Sequence, residues 1–164
     1  MVDSAIEIAK YLLNVDDKKK FTSSKLIKKN GNPFKEGNAI LNKYLFFAQV
    51  LYFVKTKELL FSEEILAFDN GPVVEEVRQS NNILIKIDDL NCNIDETKKK
   101  FLNKLYKFLD NASLDELIEI SHTDKNWVEK NKEYSKVNQI MDIKNNYEYY
   151  SFNYEDALYL MEKI

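Results

Sequence analysis

The sequence predicts a mainly α-helical fold of the α+β kind. One helical domain over residues 1–164 is expected around a central apolar helix at about 38–55. A small β element of two or three strands is expected at about 59–61, 65–69 and 83–87. Three observations carry this. Apolar residues recur at helical spacing through most of the chain. The run from Tyr44 to Val54 is apolar save for Gln49, and a helix that is apolar almost all round belongs at the centre of a domain. The chain holds only 3 Gly and 2 Pro in 164 residues, so its one Gly-Pro pair marks a corner whose shape matters.

Taken in order, Ser4-Ala5-Ile6-Glu7 has the form of a capping box. Ala5, Ile8, Ala9, Leu12 and Leu13 follow it at helical spacing, ending near Asn14–Asp16. Phe21, Leu26 and Ile27 predict a short helix capped by Thr22 or Ser23. Asn30-Gly31-Asn32-Pro33 is a break, and Phe34 to Gly37 extends the loop. After the central helix, Leu59–Phe61 and Ile65–Phe68 read as a hairpin around Ser62-Glu63-Glu64. Leu66 to Arg78 reads as a strand that stops at Asn70-Gly71-Pro72. A helix starts at Pro72 with Glu75 and Glu76 near its positive end and closes at about Ser80–Asn82. Ile83–Ile87 reads as a third strand. Helices follow at Asp95–Asp110, from Ser113 (a second capping box, with Glu116), and at Tyr154–Lys163 capped by Asn153.

Composition bounds the function. Hydrophobic residues make up 45% and aromatics 13% of the chain, as in a globular protein. Net charge is −3 and Arg78 is the only arginine among 24 basic residues. A nucleic-acid reader more often clusters arginine for bidentate contacts, so nucleic acid is not the expected partner. Met1-Val2-Asp3-Ser4 has no basic segment followed by an apolar run, and the longest apolar run is far short of the roughly 20 residues that span a bilayer. A soluble, cytoplasmic protein without membrane contact is expected.

Chemistry-bearing constellations are scarce. His122 and Cys92 are the single histidine and single cysteine, placed in different elements, which is no zinc pattern. Adjacent carboxylates such as Glu63-Glu64 and Glu75-Glu76 point about 100° apart on a helix. A phosphate cradle would need several glycines. No catalytic residue, metal or cofactor is expected. His122 and Trp127 are read first as packing residues and second as contact residues. Five of the ten tyrosines, Tyr147, Tyr149, Tyr150, Tyr154 and Tyr159, crowd the last eighteen residues, a composition shared by interfaces and core margins. The residues alone therefore favour a binding protein over an enzyme.

Three separated pieces, in order, resemble the Panacea (SocA-like) antitoxin domain of bacterial and phage toxin–antitoxin pairs. Leu41-Asn42-Lys43-Tyr44-Leu45-Phe46-Phe47-Ala48-Gln49 is similar to that family's Leu-Gln-Lys-Leu-Leu-Tyr-Phe-Ala-Gln helix. Ala67-Phe68-Asp69-Asn70-Gly71-Pro72-Val73-Val74-Glu75-Glu76-Val77 is similar to its Ala-Trp-x-x-Gly-Pro-Val-x-x-x-Val corner. Ser121-His122-Thr123-Asp124-Lys125-Asn126-Trp127 is similar to its Ser/Thr-His-x-x-x-x-Trp element. Phe68 stands for the usual Trp and Asn42 for the usual Gln, and residues 18–37 are longer than the typical first loop. The resemblance implies an antitoxin of phages and mobile elements that binds a toxin encoded beside it. It neutralises that toxin by occlusion or by presenting it to a protease.

On that reading Asp69, Asn70, Val73, Glu76 and Arg78 are the expected contact residues, with Gly71 and Pro72 shaping the site. The rival readings are a DNA-binding regulator of its own operon and a small hydrolase using His122. A reactive partner for His122 in an open pocket would favour the latter.

Overall fold

The computed structural model describes residues 2–87, 91–132 and 139–164. Helix α1 (Ala5–Val15) begins where the Ser4 hydroxyl accepts the Glu7 N–H at 3.2 Å. It buries the stripe Ala5, Ile8, Ala9 and Leu12. The chain turns on Asp16, whose carboxylate accepts the N–H groups of Lys20 and Phe21 and the hydroxyl of Tyr106. That buried acceptor takes donors a turn would otherwise orphan. It winds Lys20–Thr22 into one 3-10 turn, and this short piece replaces the expected helix at 21–27.

Leu26–Ile27 (β1) instead pairs antiparallel with Phe34–Lys35 (β2) across the Asn-Gly-Asn-Pro break. Helix α2 (Glu36–Thr56) starts immediately afterwards, two residues before its expected start, and is buried continuously from Leu41 to Val54. Gly37 is required at its start, because a Cβ there would lie 2.4 Å from the Phe21 carbonyl oxygen. Around α2 pack α1, α3, α4, α5 and α7, and one hydrophobic cluster draws residues from all of them. A Phe21–Tyr44–Tyr106 aromatic group sits near the α2 entry, with Phe21 edge-on to Tyr44 at 4.9 Å.

Of the expected β element the strand at 65–69 forms, and its partner is a different segment. Leu66–Phe68 (β3) pairs with Gly71–Val73 (β4) about the two-residue turn Asp69-Asn70, in the register Leu66↔Val73, Ala67↔Pro72, Phe68↔Gly71. Leu59–Phe61 forms no strand of this hairpin. Gln49 of α2 takes its place: its Oε1 accepts the N–H groups of Leu60 (2.7 Å) and Phe61 (3.2 Å), and its Nε2 donates to the Phe61 carbonyl at 2.8 Å. A side chain thus does for that segment what a partner strand would do.

The expected strand at 83–87 is also absent, because α3 (Glu75–Leu84) runs further than its sequence signals. Val77, Asn81 and Leu84 are buried at helical spacing while Ile83 and Ile87 stay exposed. Its start is Glu75 rather than Pro72, which lies in β4.

The rest follows expectation more closely. Helix α4 (Glu96–Phe108) is capped by Asp95, whose carboxylate accepts the Lys98 N–H. Helix α5 (Leu114–His122) has both halves of the Ser113–Glu116 capping box, each at 3.1 Å. Helix α6 (Lys125–Asn131) is capped by Asp124. Helix α7 (Tyr147–Glu162) starts seven residues before its expected start, with Asn146 as its cap and Tyr150, Tyr154 and Met161 buried. Among the described residues no helix is long and apolar enough to cross a membrane.

Candidate partner-binding site

The three polar residues within the apolar run of α2 are all buried: Asn42 at 2% exposure, Lys43 at 1% and Gln49 at 2%. Burying such groups is costly unless they are hydrogen-bonded, and each is committed to a backbone. Asn42 Oδ1 accepts the Val74 N–H at 2.9 Å, and its Nδ2 donates to the Asn38 carbonyl. Lys43 Nζ donates to the Pro72 carbonyl at 3.1 Å.

From the other side, α6 holds the same hairpin. Trp127 Nε1 donates to the Phe68 carbonyl at 2.8 Å, and Asn131 Nδ2 donates to the Ala67 carbonyl at 3.1 Å. Asp124, a buried cap, fixes Trp127 by accepting its N–H at 3.0 Å. Burial raises the Asp124 carboxyl above its ordinary range, and that N–H bond opposes the shift.

Gly71 closes the arrangement. It adopts φ +111°, in the region that glycine tolerates and other residues avoid. A Cβ there would stand 2.6 Å from both Lys43 Cε and Ser121 Oγ. The hairpin is therefore pressed onto the lysine stem with no room for a side chain between. Burial alone pulls the Lys43 ammonium down from its ordinary value to about 7, because no carboxylate among the described residues pairs with it.

His122 lies face to face with Trp127, ring centroids 3.9 Å apart and planes 14° from parallel. Burial, and then the Lys43 charge, hold its imidazole below the usual value, while a backbone hydrogen bond with Asp69 acts the other way. The ring lines neither described cavity. It packs against the tryptophan, as the first reading of this residue expects.

In front of the hairpin lies a groove of about 740 Å³, walled by β2, the start of α2, the β3–β4 turn and α3. The expected contact residues divide about it. Asp69, Asn70, Val73 and Arg78 line the groove. Gly71 and Pro72 are buried behind it, so they shape the wall without offering a surface. The bend itself faces the protein interior, and only the turn at its tip reaches solvent. Glu76 is exposed but stands outside the groove lining. Arg78 is held by an ion pair with Glu75 and lies over the Phe68 ring at 5.7 Å.

Sequence reasoning missed Lys35 and Asn38 on the wall formed by β2 and the start of α2, Asn82 on α3 across from them, and the floor residue Lys43. For Lys43 a signal existed: Asn42, Lys43 and Gln49 are the polar exceptions in a run otherwise fit only for a core.

The groove's anchored wall is built from all three sequence pieces that resemble the Panacea domain, and a family model described as "Antitoxin SocA-like, Panacea domain" matches residues 41–128. The chain belongs to this family. The match starts one residue before Asn42 and ends one residue after Trp127, so it spans the Asn42–Val74, Lys43–Pro72 and Trp127–Phe68 bonds. The β1–β2 hairpin of this Panacea-family chain lies outside it. No curated protein and no solved structure matches the chain significantly.

Proposed function

We infer that this Panacea-family protein is the antitoxin of a toxin–antitoxin pair, acting in the cytoplasm with residues 1–164 as one unit. It binds a protein toxin encoded beside it and neutralises it by covering a functional surface of the toxin; delivery of the toxin to a protease is the second route. The single observation that supports this reading is the groove. A family-matched wall, fixed by four side-chain hydrogen bonds, presents Asp69, Asn70, Val73 and Arg78 to a cleft large enough for a segment of another protein.

Pre-formed surfaces bind without an ordering cost, which is what a neutralising partner requires. The operon-regulator reading gains nothing comparable: the one arginine is already paired with Glu75. The experiment is expression of the adjacent open reading frame alone and together with this chain. Growth arrest with the first and rescue with the second is expected. A neighbour that is harmless, or toxic and not rescued, would contradict the reading.

A further inference from the structure

The groove is lined by accessible side-chain amides with hydrogen-bonding groups to spare. Asn30, Asn32, Gln79 and Asn82 are exposed, and Gln139 is half-buried. The Asn32 and Gln139 side chains make no hydrogen bond among the described residues. The other three use one end each. Asn30 donates to Asn70 Oδ1 at 3.1 Å, Gln79 donates to Glu75 Oε1 at 2.9 Å, and Asn82 Oδ1 accepts from Lys35 Nζ at 2.8 Å. Those bonds orient the three amides and leave the carbonyl oxygens of Asn30 and Gln79 and the amino group of Asn82 for a ligand. Pre-oriented partners lose little freedom on binding.

The charged groups of the lining, by contrast, are all committed within the chain. Lys43 is buried and donates to the Pro72 carbonyl, Arg78 is paired with Glu75, Lys35 donates to Asn82, and Asp69 accepts from Asn131. What the groove offers a ligand is therefore neutral. A carboxamide sets donors and an acceptor side by side, the same pair that the peptide groups of an extended chain carry. Phe34, Phe68 and Val73 add apolar surface to the same lining. In an extended chain alternate side chains point to one face, so one segment meets the amides with its backbone and the apolar surface with every second side chain.

We propose that the groove holds an extended, uncharged segment of the toxin, its peptide groups bonded to the amides of Asn30, Asn32, Gln79, Asn82 and Gln139 and its alternate apolar side chains set against Phe34, Phe68 and Val73. The proposal rests on the toxin-binding reading and names the part of the partner that this site takes. Affinity then resides in main-chain hydrogen bonds, as it does when an extended peptide adds to a protein surface. Salt, which screens charges, has little to act on.

The test uses the full chain and, as probe, the purified product of the adjacent open reading frame. By calorimetry, the affinity is expected to change by less than about threefold between roughly 0.05 and roughly 0.5 M salt. It is expected to drop by about tenfold or more in the Asn32→Ala, Asn82→Ala double variant. A photo-crosslinker at Gln79 is expected to capture one contiguous stretch of the probe free of charged residues. A synthetic peptide of that stretch is expected to compete with the probe, and the same peptide with alternate peptide N–H groups methylated to compete about tenfold more weakly or worse.

Should the double variant fail to fold, the methylated peptide decides alone, since it leaves this chain unchanged. A folded double variant with affinity within about threefold of wild type overturns the groove proposal and leaves toxin binding standing. So does an affinity that collapses with salt, capture of a charged or helical stretch, a peptide that does not compete, or a methylated peptide that competes equally well. A probe that does not bind the wild type at all overturns the toxin-binding reading and this proposal with it.

Discussion

Two hairpins of two strands each flank the groove, and they are built in opposite ways. The β3–β4 hairpin is buried and held from both sides, by Asn42 and Lys43 of α2 and by Trp127 and Asn131 of α6. The β1–β2 hairpin is largely exposed, with Leu26 at 64%. It is tied down by backbone bonds at its base and by the Asn30–Asn70 and Lys35–Asn82 contacts across the groove. The first lies within the family-matched span and the second before it. The comparison teaches a division of labour: the family-matched segment builds a fixed wall, and the hairpin that precedes it supplies the opposing face.

The two turn-region glycines give the largest contrast. Gly71 and Gly31 both have positive φ, +111° and +132°, but a Cβ at Gly71 would meet Lys43 and Ser121 at 2.6 Å, while at Gly31 it would meet nothing within 4 Å. Gly71→Ala adds overpacking to backbone strain and is expected to lower stability by roughly 3 kcal/mol or more. Gly31→Ala carries strain alone, about 1 to 2 kcal/mol. Urea denaturation of both variants checks this, and equal losses would break the comparison.

Next in size is the pH dependence set by Lys43. Its folded pKa, about 7, lies below the ordinary lysine value, so folding releases a proton between those limits. Stability is therefore lowest below pH 7 and rises towards pH 10, by at most about 1.4 kcal/mol per unit. Above pH 10 the buried tyrosines Tyr44, Tyr106, Tyr150 and Tyr154, whose hydroxyls burial holds protonated, work the other way. Melts of Lys43→Met across pH 7 to 10 are expected to lack most of the rise; an unchanged slope would place its source elsewhere.

Trp127→Phe leaves the Phe68 carbonyl without its donor and should cost about 1 to 2 kcal/mol. Asn30→Ala on the exposed hairpin should stay within about 0.5 kcal/mol. Thermal melts of the pair sharpen the contrast in a single experiment. The smallest stability effect belongs to Lys35→Glu, at about 0.5 kcal/mol or less. Its expected consequence is weaker toxin binding at unchanged melting temperature, measured by calorimetry alongside the melt.

The same contrast governs what could be read from the sequence. Helices with a wide apolar stripe or a side-chain cap were legible: α1, α2, α4 and α5 lie within a few residues of their expected bounds. The β3–β4 corner was legible as a shaped backbone, through its Gly-Pro pair, but its orientation was not. Nothing local reveals that Lys43 and Asn42 would draw Pro72 and Val74 inward. Leu59–Phe61 has a strand's composition, and tertiary contacts decide its fate: Gln49 takes its backbone groups, and Phe61 makes only an isolated bridge with Asp3.

Ile83–Ile87 has β-branched residues at strand spacing, yet Val77, Asn81 and Leu84 extend α3 into it because their burial outweighs propensity. The start of α7 was hidden because tyrosine and asparagine are indifferent helix formers. Packing of Tyr150 and Tyr154 across from Phe47 and Asn126 sets it. The groove itself joins segments some forty residues apart, and no periodicity within either announces the other.

The central claim, that the toxin occupies the groove between the two hairpins, is tested most directly by hydrogen–deuterium exchange of this chain with and without the adjacent gene's product. The account predicts new protection confined to both walls, residues 30–39 and 68–82. Protection on the outer face of α7, where Phe152, Tyr159 and Leu160 are exposed, with the groove walls unchanged, would contradict it.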